Sequence, residues 1–431
     1  VRPAGSSSAA GRSSSTTRRP TLVNGDQPVE ETGSWRTEDV WAISLSAFFA
    51  DLGYQAVLAG FPLLLVLTLH QPVWEYGLAS ALSYGGGAMF SYAGGRIGDR
   101  VGHRKLAIAG NSAIPLLSLC ALVASPAWAI GLLTGGWWAR NLRSPSRRVM
   151  LVEAVPAEEH RSAAFGFLHA LDVGGGALAG VYVLAALAAH VPFRWIFLAT
   201  VIPLVVSTVS LSRAHVGAPR PQSAASSARS YPDDPGDAAP PGARALLVAA
   251  AAYGFTFYSV GFPVLTVAQA SGRLVAGIGA FLVLQAVSAL TGFVLGGRLG
   301  TGPAAQFARL GLLGYLGAGI GAAILAAGYA AHLGLGVLFV GVAVIGFALG
   351  IVETLEPTAM SVLRSGPRAG RAMGALSSAR SVGAFVGNLA MGLLYSVGAA
   401  FAYGYAAIVA GAAGMIVLAA VPALRRWSSS R

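Results

Sequence analysis

The sequence predicts an all-α integral membrane protein of about twelve transmembrane helices, and three observations carry that prediction. Of 431 residues, 55% are apolar and only 11% are charged, against roughly 25% charged in a soluble domain. Mean hydropathy is +0.65, and apolar runs recur from Trp41 to Leu424, each some 20 residues long and so able to cross a roughly 30 Å hydrocarbon core. The arginines gather at the ends of these runs instead of forming one solvated basic face. The net charge of +12 therefore reads as a topology signal, with the lipid bilayer and not nucleic acid as the partner. This composition excludes a soluble enzyme.

Residues 1-39 read as a disordered cytoplasmic tail, because Val1 to about Ser34 is rich in Ser, Thr, Gly and Arg and has no apolar core region. Residues 40-212 hold six spans, centred near Asp51, Tyr84, Leu116, Gly136, Gly176 and Pro203. Residues 213-243, with SAASSARS and YPDDPGDAAPPG, form a polar, Pro-rich and Ser-rich linker. Residues 244-424 hold six more, centred near Thr256, Val287, Ala318, Gly346, Val386 and Gly411, and 425-431 is a short tail. Basic residues fall on alternate loops: Arg96 to Lys105, Arg147 to Arg161, Arg213 to Arg229, Arg364 to Arg371, and the C-terminal arginines. The opposite loops carry almost only Arg194 and Arg273. The positive-inside bias then places both termini in the cytoplasm of a multi-pass inner (plasma) membrane protein.

The halves repeat. Gly60-Phe61-Pro62 in the first span recurs as Gly261-Phe262-Pro263 in the seventh, and Gly94-Gly95-Arg96-Ile97-Gly98 recurs as Gly296-Gly297-Arg298-Leu299-Gly300. The separations, 201 and 202 residues, differ by one. A parallel repeat of six spans is a common plan of secondary transporters, with the substrate site between the repeats.

Gly95-Arg96-Ile97-Gly98-Asp99-Arg100-Val101-Gly102-His103-Arg104-Lys105 fits G-x-x-x-D-[RK]-x-G-x-[RK]-[RK] at every defined position. It resembles the loop signature of the major facilitator superfamily and falls between the second and third spans, as that family requires. Gly95, Gly98 and Gly102 are expected to permit a tight turn, with Arg100, Arg104 and Lys105 as its basic face. Asp99 is expected to latch the cytoplasmic side shut by accepting from a helix N-terminus or an arginine of the other half. In the second half Thr301 replaces the aspartate, so no equivalent latch is expected there. Within the superfamily the chain resembles a bacterial group of exporters and permeases, through Asp51-Leu52-Gly53-Tyr54-Gln55, Arg140-x-x-Arg143-Ser144-Pro145-Ser146-Arg147, Phe165-Gly166-Phe167-x-x-Ala170-Leu171-Asp172 and Glu353-Thr354-Leu355-Glu356. That group commonly has a glutamate where this chain has Gln55, a departure that removes one titratable carboxylate.

Seven charges fall inside the spans: Asp51, Arg140, Arg143, Asp172, Glu353, Glu356 and Arg380. Unpaired, at roughly 2.5–3.5 kcal/mol each, they would cost on the order of 20 kcal/mol. They must face water, substrate or one another. Asp51 lies about ten residues after Trp41, about 15 Å along a helix and near mid-depth. Arg140 and Arg143 share one face of the fourth span, and Glu353 and Glu356 share one face of the tenth. The resemblance places all five on cavity-lining helices. Asp51, Gln55, Asp172 and Glu353 are the proton or substrate candidates. Arg140, Arg143, Glu353, Glu356 and Arg380 are expected to form ion pairs that gate the cavity, register the halves or hold substrate. Asp172 and Arg380 are mid-depth charges expected to pair with each other or with other groups.

Other residues carry less. His70 and His332 read as solvated loop histidines, His169 as packed, and Tyr54, Tyr253, Phe255, Phe257 and Tyr258 as packing or an aromatic cavity wall. The lone Cys120 reads as lipid-facing or core filler. No phosphate-loop or zinc-peptidase motif is present. No cofactor or resident metal is expected, and the chain is expected to be a monomer. The resemblance implies alternating-access transport of a small molecule or ion, with proton-coupled export as the leading reading. A carboxylate at mid-depth would exchange a proton for substrate, since its two forms differ in affinity for a cation. The alternatives are a uniporter or importer of an anionic metabolite on Arg140 and Arg143, a divalent-metal exporter using Asp51 and Gln55, and a non-transporting receptor of the same fold.

Overall fold

The computed structural model describes residues 35–155, 158–216, 242–256, 259–296, 302–363 and 369–429. The N-terminal tail, most of the linker, Phe257, Tyr258, residues 297–301 and the arginines 364 and 368 lie outside the described residues, as do the side chains of Arg161 and Arg371. Each of the twelve expected centres falls in a helical stretch. These are α1 (Glu38–Thr68), α2 (73–101), α3 (His103–Leu122), α4 (Pro126–Ala154), α5 (Glu158–Ala188) and α6 (Phe193–Ser212). After the linker come α7 (Ala243–Thr256 with Gly261–Ser271), α8 (Leu274–Gly296), α9 (Pro303–Ala330), α10 (Leu335–Leu363), α11 (Ala369–Val397) and α12 (Ala399–Ser429). Among the described residues, nine stretches are long and apolar enough to cross a membrane. The other three, α2, α4 and α11, are richer in glycine, serine and arginine, the residues that build close contacts and the charged site.

Local sequence sets the ends and breaks. Thr37 caps α1 by accepting from the Val40 N–H at 3.4 Å, with Glu38 and Asp39 in the first turn, where acidic side chains complement the helix dipole. Pro62 has no N–H to donate, and α1 widens into a π-type stretch over Leu63–Thr68. Pro145 breaks the bonding of α4 similarly, and the freed Asn141 carbonyl accepts from the Ser91 hydroxyl of α2 at 3.2 Å. His70, His190 and His332 end their helices with φ of +52°, +58° and +52°, the left-handed position usually taken by Gly or Asn.

Helices α1–α6 pack mainly among themselves, with α1 against α5 and α6 and α4 against α2 and α3. Helices α7–α12 do likewise, with α11 and α12 on α7 and α10 between α8 and α9. Buried hydroxyls and an amide tie the first set together: Ser46 to Ser207 at 3.1 Å, Asn111 to Ser207 at 2.9 Å and Ser118 to Thr200 at 2.7 Å. Cys120 is fully buried in the apolar core. Between the sets, α2 meets α11, α5 meets α8 and α1 meets the second piece of α7. The α2–α11 approach is close because glycine meets glycine: a Cβ on Gly77 would lie 2.7 Å from the Gly392 Cα. Contact concentrates where α2 begins and α11 ends. The Trp74 N–H donates to Ser396 at 3.1 Å there, and Tyr76 stacks edge-on against Phe262.

Candidate functional site

On the first half, α1, α4 and α5 bring five of the charged side chains together. A Cβ on Gly175 would lie 3.1 Å from the Asp51 Cβ and 2.2 Å from the Phe48 carbonyl. The missing side chain thus lets α5 lie directly on α1. Asp172 is one turn earlier on the same face of α5, on the side that meets the buried Asp51. Arg147 of α4 donates to both Asp172 oxygens at 3.3 and 3.4 Å. Arg140 donates to the Tyr54 hydroxyl at 3.4 Å, and its guanidinium sits 5.3 Å from the Tyr54 ring and 4.9 Å from the Trp137 ring, within cation–π range. Arg143 is fully buried, and none of its guanidinium nitrogens has a hydrogen-bond partner. The same holds for Asp51 Oδ2 and for Arg140 Nε.

On the second half the charges pair with one another. Arg380 of α11 donates to Glu353 at 2.8 Å and faces Glu356 at 3.6 Å. The Tyr315 hydroxyl of α9 donates to Glu356 at 2.5 Å, and Arg380 lies 5.8 Å from the Tyr253 ring. Glu356 is only 1% exposed, whereas Glu353 is 55% exposed.

The expected pairing of Arg140 or Arg143 with Glu353 or Glu356 is therefore replaced, in this conformation, by pairing within each half. The reason is packing: α4 and α10 each pack chiefly on helices of their own half. Asp172 and Arg380 likewise take partners in their own halves. Gln55 lines a different feature, a pocket between the halves with Ser80, Ser83, Tyr84, Val260, Gly261 and Phe281. At its rim Tyr76 of α2 hydrogen bonds Ser259 of α7, Ser80 donates to Ser259 at 3.2 Å, and Asn388 of α11 accepts from the Ser259 N–H at 2.9 Å. Sequence reasoning missed this polar knot, since four separated hydroxyl and amide side chains leave no spacing signal. The sequence reading also places Arg147 among the topology charges and in the fourth-span motif, without assigning it a partner.

The loop signature differs in detail from expectation. Gly95 and Gly98 lie inside α2, and only Gly102, at φ +96°, makes the turn. Gly95 faces open space, while a Cβ on its neighbour Gly94 would lie 2.0 Å from the Leu142 carbonyl, so Gly94 sets the α2–α4 approach. Asp99 pairs with His103 at 3.3 Å across the turn, instead of with the other half. Arg104 donates to the Ser212 and Ala214 carbonyls at 2.6 Å, closing the C-terminal end of α6 with the charge sign its dipole favours. Arg100 and Lys105 are exposed, as are His70, His169 and His332. Among the described residues no group of three or more His, Cys, Asp or Glu gathers.

What this arrangement offers is a cluster of charged side chains within each half and a buried polar knot where the halves meet. The fold is shared with solved structures. A bacterial homologue of the human lysosomal transporter Spinster, crystallised inward-facing and unoccupied, superposes with a TM-score of 0.69 at 14% identity, covering 91% of this chain and 98% of that one. A POT peptide transporter gives 0.69 at 16% identity, with 90% and 95% covered. The nucleoside transporter NupG gives 0.71 at 11% identity, with 90% and 99% covered. At such identities the likeness is one of fold. No curated protein matches the sequence. The family model described as Major Facilitator Superfamily matches residues 43–364. With three quarters of its length under that match, this chain belongs to the Major Facilitator Superfamily.

Proposed function

We propose that the protein is a proton-coupled secondary transporter of a small solute, a monomer that works by rocking its two six-helix halves about the space between them. The observation that carries this reading is the Asp51 carboxyl: it is buried, its Oδ2 has no hydrogen-bond partner, and it stands on α1 where Gly175 brings α5 against it, one turn from the Arg147–Asp172 pair. A buried carboxylate without donors is costly, and a bound proton removes that cost. Loss of the proton leaves an uncompensated buried charge, and rearrangement of α1 against α5 relieves it. The arginine-rich end is assigned to the cytoplasm of the inner membrane by the positive-inside bias. The knot at Tyr76 and Ser259 then lies on the outer side. Export is the direction assigned, on the resemblance of the α1, α4, α5 and α10 motifs to exporters.

The test needs no known substrate. Spin labels at His70→Cys and Arg273→Cys, both exposed and following the ends of α1 and α7, in a Cys120→Ala background, report its opening by electron-electron distance measurement. Between about pH 5 and about pH 8 the distance distribution is expected to redistribute as the coupled proton is gained and lost. In Asp51→Asn it is expected to stay fixed. A distribution in the unsubstituted site that ignores pH gives the uniporter reading the lead.

A further inference from the structure

We propose that the inter-half space takes a small dipolar solute, bound with its anionic end on Arg140 of α4 and its cationic end on Glu353 of α10. This rests on the transport reading above and adds the class of substrate. The first support is the balance of charge. Among the described residues on the α4 side, the guanidinium groups of Arg140, Arg143 and Arg147 outnumber the carboxyl groups of Asp51 and Asp172, and only Arg147 is hydrogen bonded to one of them. On the α10 side, among the described residues, the two carboxylates Glu353 and Glu356 share Arg380. One wall is left with excess positive charge and the other with excess negative charge.

Depth is the second support. Helices α4 and α10 both run 29 residues, and they occupy the same place in the two repeats. Counted from Pro126 and Leu335, Arg147 and Glu356 are both the 22nd residue, and Arg143 and Glu353 are the 18th and 19th. The charged turns of the two helices thus stand at similar levels, with Arg140, the 15th residue, about one turn nearer the start of its helix than Glu353.

The third support is unsatisfied bonding. Arg140 is held by one long hydrogen bond and two ring faces, with no carboxylate partner and a buried, unbonded Nε. About one turn along α4, Arg143, whose guanidinium nitrogens have no hydrogen-bond partner, adds positive charge. Buried guanidinium donors without acceptors are costly, and a planar carboxylate or phosphate matches their geometry. Opposite, Glu353 keeps one oxygen on Arg380 and is 55% exposed, so it retains capacity to accept from an ammonium group. An anion alone would answer the α4 wall and leave the α10 wall unneutralised, and a cation alone would do the reverse. A solute carrying both charges answers both.

The experiment is ligand-induced thermal shift and calorimetric titration of the full chain in nanodiscs. The probes are 4-aminobutyrate, 6-aminohexanoate and 8-aminooctanoate, each beside its N-acetyl derivative and its carboxamide. At least one parent compound is expected to bind saturably, with both blocked derivatives at least about tenfold weaker, the cost of one lost charge-assisted contact. Arg140→Gln is expected to erase discrimination against the carboxamide only, and Glu353→Gln against the N-acetyl compound only, a split that loss of folding does not produce. Blocked derivatives binding as tightly as their parents, or no parent binding, overturns the proposal. Because the label-distance test above uses no solute, pH-driven opening that persists in either case leaves the transport reading standing and removes the substrate class alone.

Discussion

Tyr76 on α2 and Ser259 in the break of α7 hydrogen bond to each other across the two halves, in a fully buried knot completed by Ser80 and Asn388. The knot closes one end of the inter-half space. A typical hydrogen bond contributes about 0.5–1.5 kcal/mol net, so Ser259→Ala is expected to shift the balance toward opening at that end by roughly two- to tenfold. The distances between labels at positions 70 and 273 measure it. An unchanged distribution shows that apolar contact alone holds the seal.

Gly77 gives a steric version of the same test. A Cβ there meets the Gly392 Cα and the Asn388 carbonyl at 2.7 Å, both backbone and unable to move aside cheaply. Gly77→Val is expected to hold the α2–α11 junction open while each half keeps its packing, giving near-normal helicity by circular dichroism with lost transport. Gly94→Val should instead unfold the first half, because Gly94 packs within it at 2.0 Å from the Leu142 carbonyl.

Asp51→Asn is expected to abolish solute accumulation driven by a pH gradient while permitting exchange down the solute's own gradient, since rocking itself needs no titration at this residue. Proteoliposome flux with and without an imposed gradient separates the two. Full accumulation in Asp51→Asn moves the proton site to Asp172 or Glu353.

Glu353 and Glu356 should respond differently to truncation. Glu356 is almost wholly buried and is bonded by Tyr315 and faced by Arg380, so Glu356→Ala leaves buried polar groups unpaired and is expected to cost about 3 kcal/mol or more. Glu353→Ala, at a largely exposed position, is expected to cost under about 1 kcal/mol. Thermal unfolding in detergent compares them. In the same assay, a double-mutant cycle on Arg140 and Glu353 is expected to show coupling below about 0.5 kcal/mol, and one on Arg380 and Glu353 more than that. Strong coupling of Arg140 to Glu353 restores the cross-half gate.

Asp99→Asn keeps the turn, which depends on Gly102, and is expected to leave stability unchanged. If Asp99 engages the other half in the opposite conformation, turnover falls at matched expression. Equal turnover removes its latch role.

The sequence by itself determined the membrane class, the helical stretches and their repeat, because hydropathy and the placement of arginine are local properties that a bilayer reads span by span. It also picked out Asp51, Arg140, Arg143, Asp172, Glu353, Glu356 and Arg380, since an intramembrane charge is costly wherever it sits. Only the tertiary structure decided who pairs with whom. Arg147 reaches Asp172 because Gly175 lets α5 lie on α1, and Arg380 reaches Glu353 because α10 and α11 are neighbours. The knot at Tyr76 and Ser259 was equally illegible, because its members are 183 residues apart and meet only where the two halves close. Partner choice depends on rotation and approach of whole helices, which small residues set through backbone contact.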